Sequence, residues 1–274
     1  MNWATNHDAS LEALTSVQGS LTVELMMAPR EAFVTCTREE TAAQIKARNP
    51  NQFSFFPVVD DNACVIGLYH AERWFQGVAP DTPISDDFTP LSEDIVIGAN
   101  ASIFDFVMQA DAYPTNLVVS GNQIAGLISL SDLQKLPVRA SLFALTTSLE
   151  MAMALAIERH WEKPEDWMEL LSESRRVKLS EAIEEAKKRD GFVSEIAFTQ
   201  LSDKADIVRK GRFLTQSNAK LKERFKGIRD LRDAVAHANL YAADPVAAKN
   251  VCKVVRSIYE TKAELLKVIE KNGS

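Results

Sequence analysis

Two segments of the chain repeat one pattern of apolar and polar positions. Each has an apolar run, a short polar turn and a second apolar run that contains a glycine, which is typical of a β-hairpin. The segments are FPVVDDNACVIGLY (56–69) and NLVVSGNQIAGLIS (116–129). Val59 aligns with Val119, and Gly67 aligns with Gly126 across a turn that is one residue shorter. The pattern predicts an internal duplication of about sixty residues.

A helical pattern precedes each hairpin. The first begins at Thr37 and the second at Ala101. Short β-branched runs that alternate with helical stretches are typical of a mixed α/β domain. We therefore expect two units with the same order of elements.

Beyond Pro137 the apolar positions follow a helical period, and glycine and proline become rare. Leucine, methionine and isoleucine recur at three- and four-residue intervals from Leu142 to Ile157, which predicts a long helix that ends before Pro164. Four further helices are predicted, at 172–191, 194–210, 217–240 and from Pro245 toward Val268. The fold class we predict is an α+β N-terminal part followed by an all-α helical bundle.

Length and composition are those of an ordinary folded chain. The 274 residues suffice for two domains, and 46% hydrophobic with 25% charged residues excludes a disordered chain. The beginning of the chain lacks the basic and then apolar order of a secretory signal. Three cysteines, Cys36, Cys64 and Cys252, lie far apart in the sequence, which suits a reducing compartment. The same spacing argues against a cysteine-based zinc site. We expect a cytoplasmic protein with no membrane association and no metal site.

Charge is distributed unevenly along the chain. Residues 1–140 hold 7 Lys and Arg against 17 Asp and Glu, a balance of 7 − 17 = −10, while the whole chain carries −7. The stretch 204–232 holds ten Lys and Arg against three Asp and Glu. Such a stretch either binds phosphates or forms a solvated helix face with internal ion pairs.

The first half resembles tandem CBS domains, a pair known as a Bateman module. The resemblance is carried by LTVELMMAP, by the PVVD hairpin and by the glycine followed by a short helix, and it covers 18–137. It divides the chain into an irregular arm at 1–17, a first CBS unit at 18–78 and a second at 79–137.

The second unit also has the family's closing motif, a glycine, a hydroxyl residue and an aspartate, as Gly126, Ser129 and Asp132. The resemblance implies that these residues bind the ribose and phosphate of an adenine nucleotide or a related adenosyl ligand. An aspartate accepts hydrogen bonds from ribose hydroxyls, and a helix start with serine favours phosphate. The alternative is an ordinary helix N-cap.

The first unit departs from this motif, because His70 and Arg73 occupy the hydroxyl and carboxylate positions. Neither side chain can make the ribose contacts. The sequence therefore predicts one nucleotide site per chain. An equally open reading is that the module serves only as a dimerising scaffold.

The second half, 138–274, resembles HEPN domains. Arg232, then four residues, then His237 is similar to the family's R-x4-6-H signature, and Asp233 is a residue type common after its arginine. The resemblance implies a homodimer with a shared cleft that cleaves RNA without a metal ion. Histidine would move the 2′-hydroxyl proton, and arginine would stabilise the phosphate.

Under this HEPN-like hypothesis, two acidic side chains each have two alternative roles. Asp233 either orients the partner histidine or pairs with Arg229, and Glu150 either contacts Arg232 or is an unrelated exposed residue. The predicted function is a nucleotide-sensing regulatory protein whose helical domain binds or cleaves RNA. The alternative is a non-enzymatic adaptor or dimerisation scaffold whose helical domain binds another protein.

Overall fold

The computed structural model describes residues 16, 19–71, 79–189 and 194–272. Two compact units are present, an N-terminal unit at Thr22–Asp132 and a helical unit that contains Leu133–Ser274. Their division falls slightly before the 137/138 boundary expected from the sequence. Apart from Ser16, the arm at 1–17 lies outside the described residues, and so does Arg73.

The N-terminal unit contains two four-stranded sheets. The strands are β1 (Ala28–Pro29), β2 (Cys36–Thr37), β3 (Phe55–Val59), β4 (Val65–His70), β5 (Phe88–Pro90), β6 (Val96–Gly98), β7 (Thr115–Ser120) and β8 (Gln123–Ser129). The first sheet has the order β2-β3-β4-β5, and the second has the order β1-β8-β7-β6. Both predicted hairpins, β3-β4 and β7-β8, are antiparallel pairs.

One short helix precedes each hairpin, α1 (Ala42–Ala47) and α2 (Ile103–Val107). α1 begins later than the predicted start at Thr37 because Thr41 is its N-cap and forms a capping box with Gln44. α2 begins after Ser102, which forms the corresponding capping box with Asp105. The duplicated order of elements that the sequence predicted is present.

The two sheets exchange their edge strands. β1 comes before the first helix and hairpin in the chain, yet it pairs with β8 of the second hairpin, while β5 comes before the second helix and hairpin and pairs with β4 of the first hairpin. Each sheet therefore needs a strand from outside its own hairpin. Because of this exchange, we expect the two repeats to fold as one cooperative unit.

Apolar clusters among the described residues pack the N-terminal unit. Cys36, Ile45, Phe56, Val58, Tyr69, Ala71 and Ile84 form the core of the first repeat. Leu68 from β4 packs with Ile95 and with Leu117 from β7, which joins the apolar faces of the two sheets. The alternation of side chains along each strand supplies one face to each cluster.

The helical unit begins with a helix at its centre. Its helices are α3 (Leu136–His160), α4 (Pro164–Met168), α5 (Glu173–Lys188), α6 (Leu201–Lys210), α7 (Asn218–Ala236) and α8 (Pro245–Asn272). α3 packs against α6, α7 and α8. Its length and composition would allow it to cross a membrane, and 72% of its apolar stretch is buried within the protein. An all-round apolar helix is also typical of the centre of a bundle.

α8 begins where the sequence predicted. Asp244 is followed by Pro245, and its carboxylate accepts the backbone N–H groups of Val246 at 2.9 Å and Ala247 at 2.8 Å. This bond satisfies donors that have no partner inside the helix. The helix then continues to Asn272, beyond the predicted end near Val268.

Candidate functional site

The ends of β4 and β8 are equivalent positions of the duplication. Val58 pairs with Gly67 in the first hairpin, and Val118 pairs with Gly126 in the second. Each ladder then shifts register at the next valine. By the same register, His70 at the end of β4 corresponds to Ser129 at the end of β8. The aligned sequence positions are thus equivalent in the two hairpins.

Ser129 and Asp132 are hydrogen-bonded to each other where β8 ends and a short 3₁₀ helix, Leu130–Gln134, begins. Oδ2 of Asp132 accepts the backbone N–H of Ser129 at 2.6 Å and its hydroxyl at 3.2 Å. The Ser129 hydroxyl also lies 2.8 Å from the Ser131 hydroxyl. Asp132 is 7% exposed, so this carboxylate is buried and hydrogen-bonded within its own turn.

The start of α2 contains the same kind of bond. Oδ2 of Asp105 accepts the backbone N–H of Ser102 at 2.9 Å, in a capping box. Ser129 and Asp132 therefore have the backbone hydrogen bond of a helix start, as the alternative hypothesis of an ordinary helix N-cap predicted. The difference is burial, because Asp105 is exposed and Asp132 is buried.

Thr115 is a polar residue that the sequence analysis missed. It pairs directly with Ser129 across the β7-β8 ladder, so both side chains lie on one face of the sheet. Thr115 is 4% exposed, and its hydroxyl has no hydrogen-bond partner among the described residues. The sequence signal was the polar pair Thr115–Asn116 at the start of an otherwise apolar strand.

Gly126 has a structural role that its motif assignment did not include. A Cβ at this position would lie 2.8 Å from the Ala28 carbonyl oxygen and would collide with the Met27 side chain. At the equivalent Gly67, a Cβ would collide with the Thr89 carbonyl oxygen. Both glycines let an exchanged edge strand approach closely.

The first repeat ends on an aromatic stack instead. The imidazole of His70 stacks on the Phe55 ring, with centroids 4.4 Å apart and planes at 9°. Phe55 pairs with His70 across the ladder, as Thr115 does with Ser129. The first repeat thus has two rings where the second has two hydroxyl groups.

In the helical unit, Arg232 lies on α7, but His237 does not. The predicted helix at 217–240 was wrong at its end, because α7 stops at Ala236 and His237 is its C-cap. Ala238 then adopts a positive φ of 56°, and the Asn239 N–H donates to the Ala234 carbonyl at 2.9 Å. These features form a Schellman ending.

Arg139 on α3 holds this helix end. Its guanidinium donates to the carbonyl oxygens of Ala234 at 3.0 Å, Val235 at 3.2 Å and Asn239 at 2.8 Å. It also lies 4.9 Å from the centroid of the Tyr241 ring. Burial raises the pKa of Tyr241 to about 12, and the Arg139 charge opposes this shift. An arginine that satisfies the last carbonyls stabilises a helix C-terminus.

The R-x4-H residues are accessible. His237 is exposed, and the Arg232 side chain is 35% exposed. Asp233 Oδ1 accepts from Arg232 at 2.9 Å, so the suggested pair of Asp233 with Arg229 was wrong. Arg229 contacts Asp230 instead, at 3.4 Å. Neither Arg232 nor His237 is a buried core residue.

Several cations of the basic stretch 204–232 are used within the bundle. Lys204 is 5% exposed and contacts Glu150 at 3.1 Å, so the suggested contact of Glu150 with Arg232 was wrong. Arg224 contacts Glu260 at 2.7 Å. Internal ion pairs thus consume some of the charge of this stretch, as one of the two proposals expected, and phosphate binding stays a prediction.

Comparisons with known proteins each cover less than half of the chain. No family model matches the chain. A UPF0053 protein of Mycobacterium tuberculosis (strain CDC 1551 / Oshkosh) is 31% identical over 121 residues, which are 42% of this chain. The chain spans about a quarter of that relative's length, 26%.

Solved structures similar to the chain include CBS domains. One is the CBS domain of a bacterial CNNM/CorC family Mg²⁺ transporter in complex with ATP, with 15% identity over 49% of this chain and 97% of that chain and a TM-score of 0.39. A hemolysin-like protein containing a CBS domain, from Oenococcus oeni PSU, has 18% identity over 45% and 94%, with a TM-score of 0.36. CBSX2 in complex with AMP has 17% identity over 44% and 96%, with a TM-score of 0.35.

Proposed function

We propose that the chain is a cytoplasmic regulatory protein whose N-terminal unit is a CBS pair that binds one adenine nucleotide or related adenosyl ligand. Binding then controls the helical unit. The observation that carries this proposal is the buried, unpartnered Thr115 hydroxyl opposite Ser129, beside the buried carboxylate of Asp132. A buried polar group without a partner is costly, and a ligand would relieve that cost.

Each group has a chemical role in this site. Asp132 accepts hydrogen bonds from ribose hydroxyls, Ser129 donates to a phosphate oxygen, and Thr115 gains a partner. The ligand must replace the bond between the Ser129 hydroxyl and Asp132, which is 3.2 Å long in this structure. The Ser129 backbone bond to Asp132 can stay and keep the turn in place.

The experiment is calorimetry with AMP, ADP, ATP and S-adenosylmethionine as separate ligands. Wild type is expected to bind at least one of them, and Asp132→Ala is expected to lose that binding. Asp105→Ala is the matched control, because it removes the same kind of backbone bond at the start of α2. It is expected to bind like wild type.

The contrary outcomes are equally definite. No binding to wild type, or equal binding by Asp132→Ala, would leave the unit as a dimerisation scaffold. Equal losses in Asp132→Ala and Asp105→Ala would mean that both substitutions act through folding. Melting curves of both variants separate that last case from a direct contact.

A second candidate function, cleavage or binding of RNA by a HEPN-like helical unit, is favoured by one observation. Arg232 and His237 lie at the surface of the bundle rather than in its core. In this proposal His237 moves the proton of the ribose 2′-hydroxyl, Arg232 stabilises the phosphate, and Asp233 orients Arg232. Both chains of a homodimer would contribute to the cleft.

The purified protein should then cleave single-stranded RNA in the presence of EDTA and leave 2′,3′-cyclic phosphate ends. His237→Ala should abolish cleavage with an unchanged melting temperature, since an exposed side chain contributes little packing. Undiminished cleavage by the variant would exclude His237. Absence of cleavage with retained RNA binding would support a binding function alone.

A further inference from the structure

A groove between α6 and α7 combines an apolar floor with a cationic rim. It has a volume of about 630 Å³. Leu201 and Ala205 from α6 and Phe225 and Ile228 from α7 form its apolar part, and all four are buried. The charged residues that line it are Asp206, Arg209, Lys222, Glu223, Lys226 and Arg229.

Lys222 and Lys226 are the cations on the rim that are not paired with a carboxylate in the described part of the chain. They are exposed, lie one helical turn apart on α7, and have no carboxylate partner among the described residues. Arg209 and Arg229 on the same rim already contact Asp206 at 2.8 Å and Asp230 at 3.4 Å. The two lysines are therefore the cations that a partner can neutralise.

An acidic helix face on the same unit has the opposite charge. Glu173, Glu181 and Glu184 on α5 are exposed and have no cationic partner in the part of the chain that the structure describes. They line a shallow concavity with Arg176, Ser180 and Val177, and Val177 is 52% exposed. α5 therefore offers carboxylates around an exposed apolar residue.

We propose that the groove binds the α5 face of a second copy of this chain, and that the two copies do so reciprocally. Val177 packs against the apolar floor, and the α5 glutamates face Lys222 and Lys226. Every copy carries both surfaces, so the complementary partner is always present at equal concentration. Reciprocal contacts close the assembly as a two-fold dimer.

The groove suits a protein helix better than a nucleic acid strand. Its apolar floor matches the recognition of an amphipathic helix, which inserts apolar side chains and places charges at the rim. α5, with 16 residues, is about 24 Å long and can span such a groove.

Charge reversal on the full chain tests this proposal by sedimentation velocity at micromolar concentration. Wild type should have twice 30.4 kDa. The groove variant Lys222→Glu/Lys226→Glu and the helix variant Glu181→Lys/Glu184→Lys should each dissociate at least about tenfold more readily, because like charges then meet. A matched control is Lys249→Glu/Lys253→Glu, exposed lysines one turn apart on α8.

The decisive part of the experiment is whether combining the two charge reversals restores the dimer. An equimolar mixture of the two variants should regain the dimer mass, and so should a chain with all four substitutions. A monomeric wild type, a dimer that the groove variant does not weaken, or a mixture that stays monomeric would each overturn the proposal. RNA binding lost in the groove variant with an unchanged mass would overturn it in favour of nucleic acid.

This proposal is independent of nucleotide binding. Calorimetry with adenine nucleotides tests the N-terminal unit, and the sedimentation masses test the helical unit. Unaltered circular dichroism of each variant is required, so that a change of mass reports association rather than unfolding.

Discussion

The two repeats of the N-terminal unit have the same strand register but different chemistry where their hairpins end. Each has a valine opposite a glycine, a register shift at the next valine and an exchanged edge strand beside the glycine. Yet the first ends on the stacked rings of Phe55 and His70, while the second ends on Thr115 and Ser129. One scaffold thus carries an aromatic end and a polar end.

This difference separates the positions that the fold requires from the positions that the proposed nucleotide site uses. Gly67 and Gly126 are needed by both repeats, because each faces a neighbouring edge strand. Ser129 and Asp132 have no counterpart in the first repeat, where His70 occupies the serine position. Substitutions at the shared positions therefore test the fold, and substitutions at the unshared positions test the proposed nucleotide site.

Substituting the shared glycines should have the largest effect. Gly67→Ala and Gly126→Ala should each lower the free energy of unfolding by about 3 kcal/mol, because each new Cβ meets backbone of the adjacent strand. Urea denaturation measures both values. Similar losses would confirm a common structural role, whereas a Gly126→Ala protein of normal stability that fails to bind nucleotide would make that glycine a ligand residue.

Alkaline pH should distinguish the cores of the repeats. Burial, with help from the negative charge of Glu40, raises the pKa of the Cys36 thiol from 9.0 to about 12. The folded protein then disfavours the thiolate, so stability is full below pH 9 and declines as pH rises toward 12.

The equivalent position in the second repeat is Ile97, which does not titrate. Between pH 8.5 and pH 10.5 wild type should lose about 2 kcal/mol more than Cys36→Val, as measured by urea denaturation. Parallel losses in the two proteins would mean that the thiol ionises as readily folded as unfolded.

Removing the Thr115 hydroxyl should stabilise the empty protein and weaken binding. Thr115→Val keeps the side-chain shape but deletes the buried group without a partner. We expect a gain of about 1 kcal/mol without ligand and a loss of about tenfold in nucleotide affinity. Thermal melting and calorimetry measure the two effects, and a loss of stability without ligand would show that the hydroxyl already has a partner.

The aromatic end of the first repeat should affect stability alone. His70→Ala removes the stack on Phe55 and should cost about 0.5–1 kcal/mol. Nucleotide affinity should not change. A marked loss of affinity in this variant would place a ligand contact in the first repeat.

Much of the fold was predictable because local patterns determine it. The hairpins follow from apolar runs around polar turns, and their repetition revealed the duplication. The N-cap at Asp244 and the start of α8 follow from one dipeptide. The strand exchange was not predictable, because β1 and β5 are only two and three residues long and each pairs with a strand that is distant in the sequence.

The candidate sites show the same limit. Ser129 and Asp132 were predicted as site residues from their spacing, but the burial of Asp132 and the unpartnered Thr115 hydroxyl depend on neighbouring strands. The end of α7 was missed because Ala238, a residue that favours helices, adopts a positive φ there. Arg139 stabilises that ending from α3, almost a hundred residues earlier in the chain.

The number of nucleotides bound per chain tests the central comparison most directly. Native mass spectrometry with AMP or ATP counts bound ligands on wild type, Asp132→Ala and His70→Ala. We expect one ligand per chain for wild type, none for Asp132→Ala and one for His70→Ala. Two ligands on wild type, or a ligand lost from His70→Ala and kept by Asp132→Ala, would contradict this expectation.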